Sequence, residues 1–223
     1  MSTSVQSRAA RNLPGTMRRR NAAATREAIL ASALRAFVRA GYDGAGVREI
    51  ASGAGVTAML VNRYFGSKER LFAEVVAHTM EAPNIITAKI TNSRTFAKDI
   101  AAALVGKTKP GAAPLDGFLI MLRSVSNERA AAIWRKQVES HHHKELTCAL
   151  GGRLPAERAA LILALITGFQ VLRQMIGISA LAEARTGVLS ELLARVFEHL
   201  AETELEGAEL RLNRHKTARA TKR

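Results

Sequence analysis

From Thr25 onward, apolar residues recur three and four positions apart. Ile29, Leu30, Ala33, Leu34, Phe37 and Val38 form one stripe, which predicts a helix of about four turns. Thr25 is placed to cap its start and Gly41 to stop it. Tyr42-Asp43-Gly44-Ala45-Gly46 has the composition of a turn. Val47, Ile50, Ala51 and Ala54 then mark a short second helix ending at Gly55. Thr57 caps a third, with Leu60, Val61, Tyr64 and Phe65 facing inward. Gly66-Ser67 closes that helix and opens a fourth from Lys68, which buries Leu71, Phe72, Val75 and Val76. Four helices in about 50 residues, the middle two joined by a tight glycine turn, form a helix-turn-helix layout.

Beyond Met80 the pattern stays helical, and Pro83, Pro110, Gly111, Pro114, Gly151-Gly152, Pro155 and Gly187 divide it. The predicted helices lie near 84–106, 115–126, 128–149, 155–180 and 188–205. No alternating run bounded by hairpin turns suggests a strand. The expected class is therefore all-α: an N-terminal three-helix helix-turn-helix domain followed by a second helical domain. The expected boundaries are a flexible basic arm at 1–21, the first domain at 22–82, the second at 83–206 and a disordered basic tail at 207–223. Ala159–Leu172 holds no Asp, Glu, Lys or Arg. Its fourteen residues fall short of the roughly 20 that span a bilayer. Such a helix, apolar all round, is either buried in its own domain or shared with a partner chain. No membrane partner is expected.

Charge sharpens the picture. The 223 residues carry 33 Lys+Arg against 19 Asp+Glu, a formal charge of +14, with an ordinary 48% hydrophobic and 23% charged content. Residues 1–78 hold +7, residues 79–206 only +2, and residues 207–223 another +5. Basic ends around a near-neutral body suit a polyanion, although basic tails also serve solubility alone. No apolar block follows Arg8, Arg11 and Arg18–Arg20, so no signal peptide is expected and the location expected is the cytoplasm.

The stretch Thr25–Val76 reads TREAILASALRAFVRAGYDGAGVREIASGAGVTAMLVNRYFGSKERLFAEVV. Its opening TREAIL, the GY turn, VREIA, then GVT and NRYFGSKERLF at matching spacing, resemble the TetR family of bacterial transcriptional regulators. The resemblance covers about a quarter of the chain. Independently of the name, a helix fits the major groove of a duplex, where its N-terminal side chains reach base edges. Thr57 can cap the third helix and also donate to a phosphate. Ala58, Met59 and Asn62 face outward toward bases. Asn62 suits bidentate pairing with adenine, while Ala58 and Met59 offer apolar contact to thymine methyls. Arg48 on the second helix suits guanine, or else pairs with a nearby acid. Arg18–Arg20 suit a minor groove or phosphates.

The resemblance further implies that Tyr64 and Lys68 clamp phosphate. Two departures matter: Gly46 stands where relatives often place a capping Ser or Thr, and Asn62 stands where many carry tyrosine. The family also implies a homodimer built on helices near 155–180 and 188–205, with Leu161, Leu165, Leu172, Leu189, Leu193 and Val196 as members. Its operator would be palindromic double-stranded DNA. A ligand pocket for an apolar or aromatic effector is implied around Phe118, Met121, Leu122, Trp134 and Phe169, each of which is equally an ordinary core residue.

Other chemistry recedes. Neighbours among His141-His142-His143 diverge by about 100° on a helix and cannot share one ion. Only a pair such as His141 with Glu145 shares a face, so no metal site is expected. Cys148 reads as a small core residue. No P-loop, dinucleotide fingerprint, HExxH or nucleophile elbow occurs, so neither enzyme activity nor a cofactor is expected. Besides a ligand-responsive repressor, two readings stay open: a nonspecific DNA-coating protein, and a ligand-binding module whose helix-turn-helix docks another protein.

Overall fold

The computed structural model describes residues 14–81 and 84–202, with side chains described from Asn21 onward. Arg8 and Arg11 of the expected arm and the whole basic tail at 207–223 lie outside the described residues. Among the described residues every regular element is helical. The chain forms two compact units: residues up to Val76 together with Ile120–Ala131, and Ala77–Leu119 together with the chain from Ala132. This differs from the linear boundaries expected at 82 and 83, because a segment from the middle of the chain joins the first unit.

In the first unit, α1 runs from Pro14 to Gly44 and is interrupted at Gly41 (φ 67, ψ −172). The helix thus begins eleven residues before Thr25, and Pro14–Asn21, expected in the basic arm, are helical. Proline is favoured at a first helical position, and the Arg and Ala residues that follow are strong helix formers needing no apolar stripe. Thr25 is no cap: its hydroxyl donates to the Asn21 carbonyl one turn back, at 2.8 Å. α2 (Val47–Gly53), α3 (Ala58–Phe65) and α4 (Lys68–Glu81) follow. Ile29, Ala33, Phe37, Ile50, Val61, Phe65, Leu71 and Phe72 are buried. Phe72 meets Phe37 edge-on at 4.9 Å and Tyr42 at 5.0 Å between ring centroids, a geometry aromatic pairs favour.

The inserted segment is fixed to this core by polar contacts. Ser124 Oγ accepts from the Tyr42 backbone N–H at 3.0 Å, and Arg123 donates to the Val38 carbonyl. Asn127 Nδ2 donates to Asp43 Oδ1 at 2.8 Å, and Arg129 pairs with Glu69 at 3.1 Å. Gly41 lets the Arg123 backbone come close: a Cβ there would lie 2.2 Å from its carbonyl oxygen. The positive φ and this approach both demand glycine.

In the second unit the expected helix 84–106 is two helices, α5 (Ala88–Thr91) and α6 (Phe96–Lys107). Asn92–Thr95 breaks it, because Ser93 and Thr95 hydroxyls both donate to Asp99 Oδ2 at the start of α6. These donors hold the Asp99 carboxyl below its ordinary pKa, Ser93 contributing most. α7 (Asp116–Ser124) and α8 (Glu128–Val138) follow; a π-helical stretch at Glu139–His143 leads into α9 (Lys144–Leu150). α10 (Pro155–Gln170) continues as a second π-helical stretch, Val171–Ile176, before α11 (Ser179–Ala182) and α12 (Thr186–Glu202). The core joins α6, α9, α10 and α12 through Ile100, Leu104, Leu146, Ile162, Ile166, Phe169, Leu189, Leu193 and Phe197. Cys148, expected inside, is exposed on α9, whose buried side carries Leu146.

The run Pro155–Ile176 is 22 residues long with mean hydropathy 1.7, enough by length and composition to cross a membrane. It exceeds the fourteen-residue stretch because the helix continues through Arg158 and Arg173. Both arginines are buried, at 5% and 4% exposure, and both bond to carbonyls of neighbouring elements. That is the behaviour of a helix packed within protein. Arg158 uses every nitrogen: Nε to Arg153 O, Nη1 to Leu200 O and Ala201 O, and Nη2 to Leu150 O and Gly151 O. One guanidinium thus closes the carbonyl ends of α9 and α12, where helix dipoles are negative. Replacing Arg158 with Met is expected to lower unfolding free energy by about 3 kcal/mol, since several buried carbonyls lose their donors. A urea denaturation midpoint within error of the parent's would show that those carbonyls need no cap.

Candidate nucleic-acid interface

α3 has only two turns, and its two sides differ sharply. Val61 and Phe65 are buried, while Met59 is 79% exposed, the most exposed large apolar side chain among the described residues. Asn62 and Arg63 are also exposed, whereas Ala58 and Tyr64 are half-buried. Positions 59, 62 and 63 lie three and four apart and so form one outward face. Arg63 was not singled out in the sequence, although its spacing from Met59 places it on this face.

Local chemistry fixes where the helix starts. Thr57 is extended (φ −87, ψ 154), and its Oγ1 accepts from the Leu60 backbone N–H at 3.3 Å. An oxygen accepting in this way still has its own O–H to donate, and Thr57 is exposed. The turn before it uses Gly55 at φ 68, a conformation costly for other residues. Gly46 precedes α2 with no side-chain cap, as its identity requires.

α2 sits close against α1. Ser32, buried in α1, donates to the Ile50 carbonyl at 2.8 Å, and a Cβ on Gly53 would lie 2.5 Å from Ser32 Oγ. Arg39 pairs with Glu49, and Arg26 pairs with Glu74 while stacking 4.8 Å from the Phe65 ring centroid. With Glu69 bound by Arg129, Glu49, Glu69 and Glu74 are all engaged. Arg48 and Arg63 have no ion-pair partner among the described residues, and both are exposed. The alternative of Arg48 paired with a nearby acid is thus not what the structure contains.

Lys68 opens α4, and Ser67 caps that helix by accepting from the Arg70 backbone N–H at 3.2 Å. The Lys68 ammonium lies 4.7 Å over the Tyr42 ring, a cation–π seat that holds a half-buried lysine at a helix start. Burial, and next the Glu69 carboxylate, push the Tyr42 phenol above its ordinary pKa. Glu69 is itself held low, first by its own backbone N–H and then by the Ser67 hydroxyl. Tyr42 is therefore a supporting residue that sequence spacing presented only as part of a turn.

Residues 29–75 match the family described as bacterial regulatory proteins, tetR family, and residues 94–200 match a tetracyclin repressor-like C-terminal domain. The chain belongs to the TetR family. Among relatives, the HTH-type transcriptional regulatory protein RaaS of Mycobacterium tuberculosis is 31% identical over 115 residues, covering 50% of this chain and 51% of that protein. The HTH-type transcriptional repressor NicS of Pseudomonas putida is 34% identical over 74 residues, covering 33% and 35%. The chain thus spans about half, or less, of these relatives' length. A TetR-family regulator from Streptomyces coelicolor A3 shares the fold, with a TM-score of 0.53 and 22% identity over 86% of this chain and 99% of that one. A TetR-family regulator from Rhodococcus sp. has a TM-score of 0.61 and 18% identity, over 81% and 100%.

The five TetR-type pocket candidates do not gather in one unit. Phe118, Trp134 and Phe169 are buried in the second unit. Met121 and Leu122 belong to the first, and Leu122 is 36% exposed, because α7 passes from one unit to the other after Leu119. Of the expected dimer members, Leu189 and Leu193 are buried in their own core. Val196, also expected there, is exposed, and the residues exposed with it on α12 are Val188 and Leu192, each one position before the buried leucines. The three histidines diverge: His141 Nδ1 meets Gln137 O at 2.9 Å, His142 Nε2 meets Asn84 Nδ2 at 3.1 Å, and His143 Nε2 meets Ala156 O at 2.9 Å. Burial pushes the His142 pKa below the usual imidazole value.

The close seat of α2 gives a direct expectation. Gly53→Ala should destabilise the parent by about 1–3 kcal/mol through overpacking against Ser32, and by clearly less in a Ser32→Ala background. Equal costs in the two backgrounds, measured by chemical denaturation, would rule out that contact as the cause.

Proposed function

We propose that this TetR-family chain is a ligand-responsive repressor that binds a palindromic operator as a homodimer. The observation that carries the reading is the outward face of α3. A methionine left 79% exposed beside Asn62 and Arg63 is poorly suited to water and well suited to a groove carrying thymine methyls and base-edge acceptors. Arg48, Thr57, Tyr64 and Lys68 flank that face in sequence; Thr57 and Lys68 lie at helix N-termini, where anions are favoured. Ala58 lies half-buried at the start of α3.

Dimerisation is supported by apolar surface on the paired helices of the second unit. Leu161, Leu172, Met175 and Ile176 on the α10 run, and Val188, Leu192 and Val196 on α12, are all 39–64% exposed. Apolar stripes of this kind mark association surfaces, and a second copy brings a second reading helix to the matching half-site. An effector acts by preferring the dimer conformation whose reading helices mismatch the operator.

Lys68→Ala is expected to weaken binding to all sequences and reduce the salt slope by about one, whereas Asn62→Ala relaxes preference at one base position at a cost of about 1–3 kcal/mol. Anisotropy titrations on fragments selected from a random pool measure both, and unchanged affinity for Lys68→Ala would remove its phosphate role. Leu192→Glu should convert the protein to a monomer by sedimentation while leaving its helical content intact. A persistent dimer would move the interface elsewhere.

A further inference from the structure

Two arginines are buried on the α10 run, and they differ in one respect. Arg158 places all its nitrogens on carbonyls. Arg173 donates from Nε to Leu181 O at 3.1 Å, and from Nη1 to Val105 O and Thr108 Oγ1, both at 3.0 Å. Its Nη2 is buried without a partner. Among the described residues no carboxylate pairs with Arg173, and burial lowers its pKa. One turn earlier, Gln170 is 5% exposed; its Nε2 donates to Ile166 O at 3.3 Å, and its Oε1 is likewise buried and unpartnered. Phe169 lies beside them, its ring centroid 5.6 Å from the Arg173 guanidinium carbon.

An unmet buried donor on a cation and an unmet buried acceptor three residues away are each costly. Both occur where α10 widens into the π-helical stretch Val171–Ile176, a backbone irregularity that recurs at functional sites. We infer that Phe169, Gln170 and Arg173 form a binding site for an organic carboxylate with an apolar body and a hydroxyl or N–H on the adjoining carbon. The carboxylate accepts from Arg173 Nη2, the adjoining group donates to Gln170 Oε1, and the apolar part lies against Phe169. A single negative charge matches one guanidinium, whereas a phosphate dianion would bring more charge into this apolar core than Arg173 neutralises. The inference rests on the effector-responsive reading above and gives that effector a chemical class.

The test uses the full chain without DNA, titrated by calorimetry with mandelate, phenylacetate and octanoate, and with mandelamide and octanamide. At least one carboxylate is expected to bind, about tenfold or more tighter than its amide, with mandelate tighter than phenylacetate. Gln170→Leu should abolish the advantage of mandelate over phenylacetate. Because Arg173 also caps α6, its variants can fail to fold, and the Gln170 variant with the ligand series keeps the question answerable. Absence of binding by all three carboxylates, equal affinity for acid and amide, or an undiminished mandelate advantage in Gln170→Leu would each overturn the assignment. Carboxylate binding by a chain that ignores DNA would sink the repressor reading and leave this site standing.

Discussion

The outward face of α3 depends on holding in place a helix too short to be stable alone. Eight residues are well below the roughly 12–15 at which isolated helices persist in water. Burial of Val61 and Phe65 therefore has to do what propensity cannot, with Thr57 fixing the first turn and Gly66 the last. The surrounding frame is organised by the rings of Phe37, Tyr42 and Phe72. Tyr42 belongs to both worlds: one face of its ring meets the core, and the Lys68 ammonium lies over the ring. Core packing and the placement of the Lys68 ammonium thus share a side chain.

Much of this first unit was legible because its signals are local. Thr57 as cap, Gly55 as turn, and the inward pair Val61 and Phe65 all follow from spacing within a few residues. What was not legible depends on distant parts of the chain. Nothing near Ser124, Asn127 or Arg129 indicates that their partners are Tyr42, Asp43 and Glu69. The early start of α1 was missed because a polar, Arg- and Ala-rich helix has no apolar period to detect. On α12, Leu189 and Leu193 against Val188 and Leu192 is a choice between adjacent stripes of equal hydrophobicity. Only packing against α6 and α10 decides it.

The second unit solves a different problem. Its α10 run is apolar enough to resemble a bilayer helix, yet its two guanidiniums point at carbonyls released by the ends of other helices. Buried charge here acts as a junction for helix termini, which need donors wherever water is excluded. Arg158 completes that task. Arg173 leaves one nitrogen over, and the departure from a fully satisfied interior falls beside Gln170, where a second group is also left over.

Because Ile120–Ala131 is part of the first unit's fabric, the helix-turn-helix portion is not a detachable cassette. A fragment cut after the fourth helix would lack buried Ile120 and the groups that satisfy Tyr42, Asp43 and Glu69. Recombination that swapped this head between relatives at a single crossover would import a mismatched clasp from the recipient. Chimaeras that moved head and clasp together would need three junctions, after Val76, before Ile120 and after Ala131. The discontinuity ties the inheritance of the helix-turn-helix unit to a piece of chain more than forty residues beyond it in sequence.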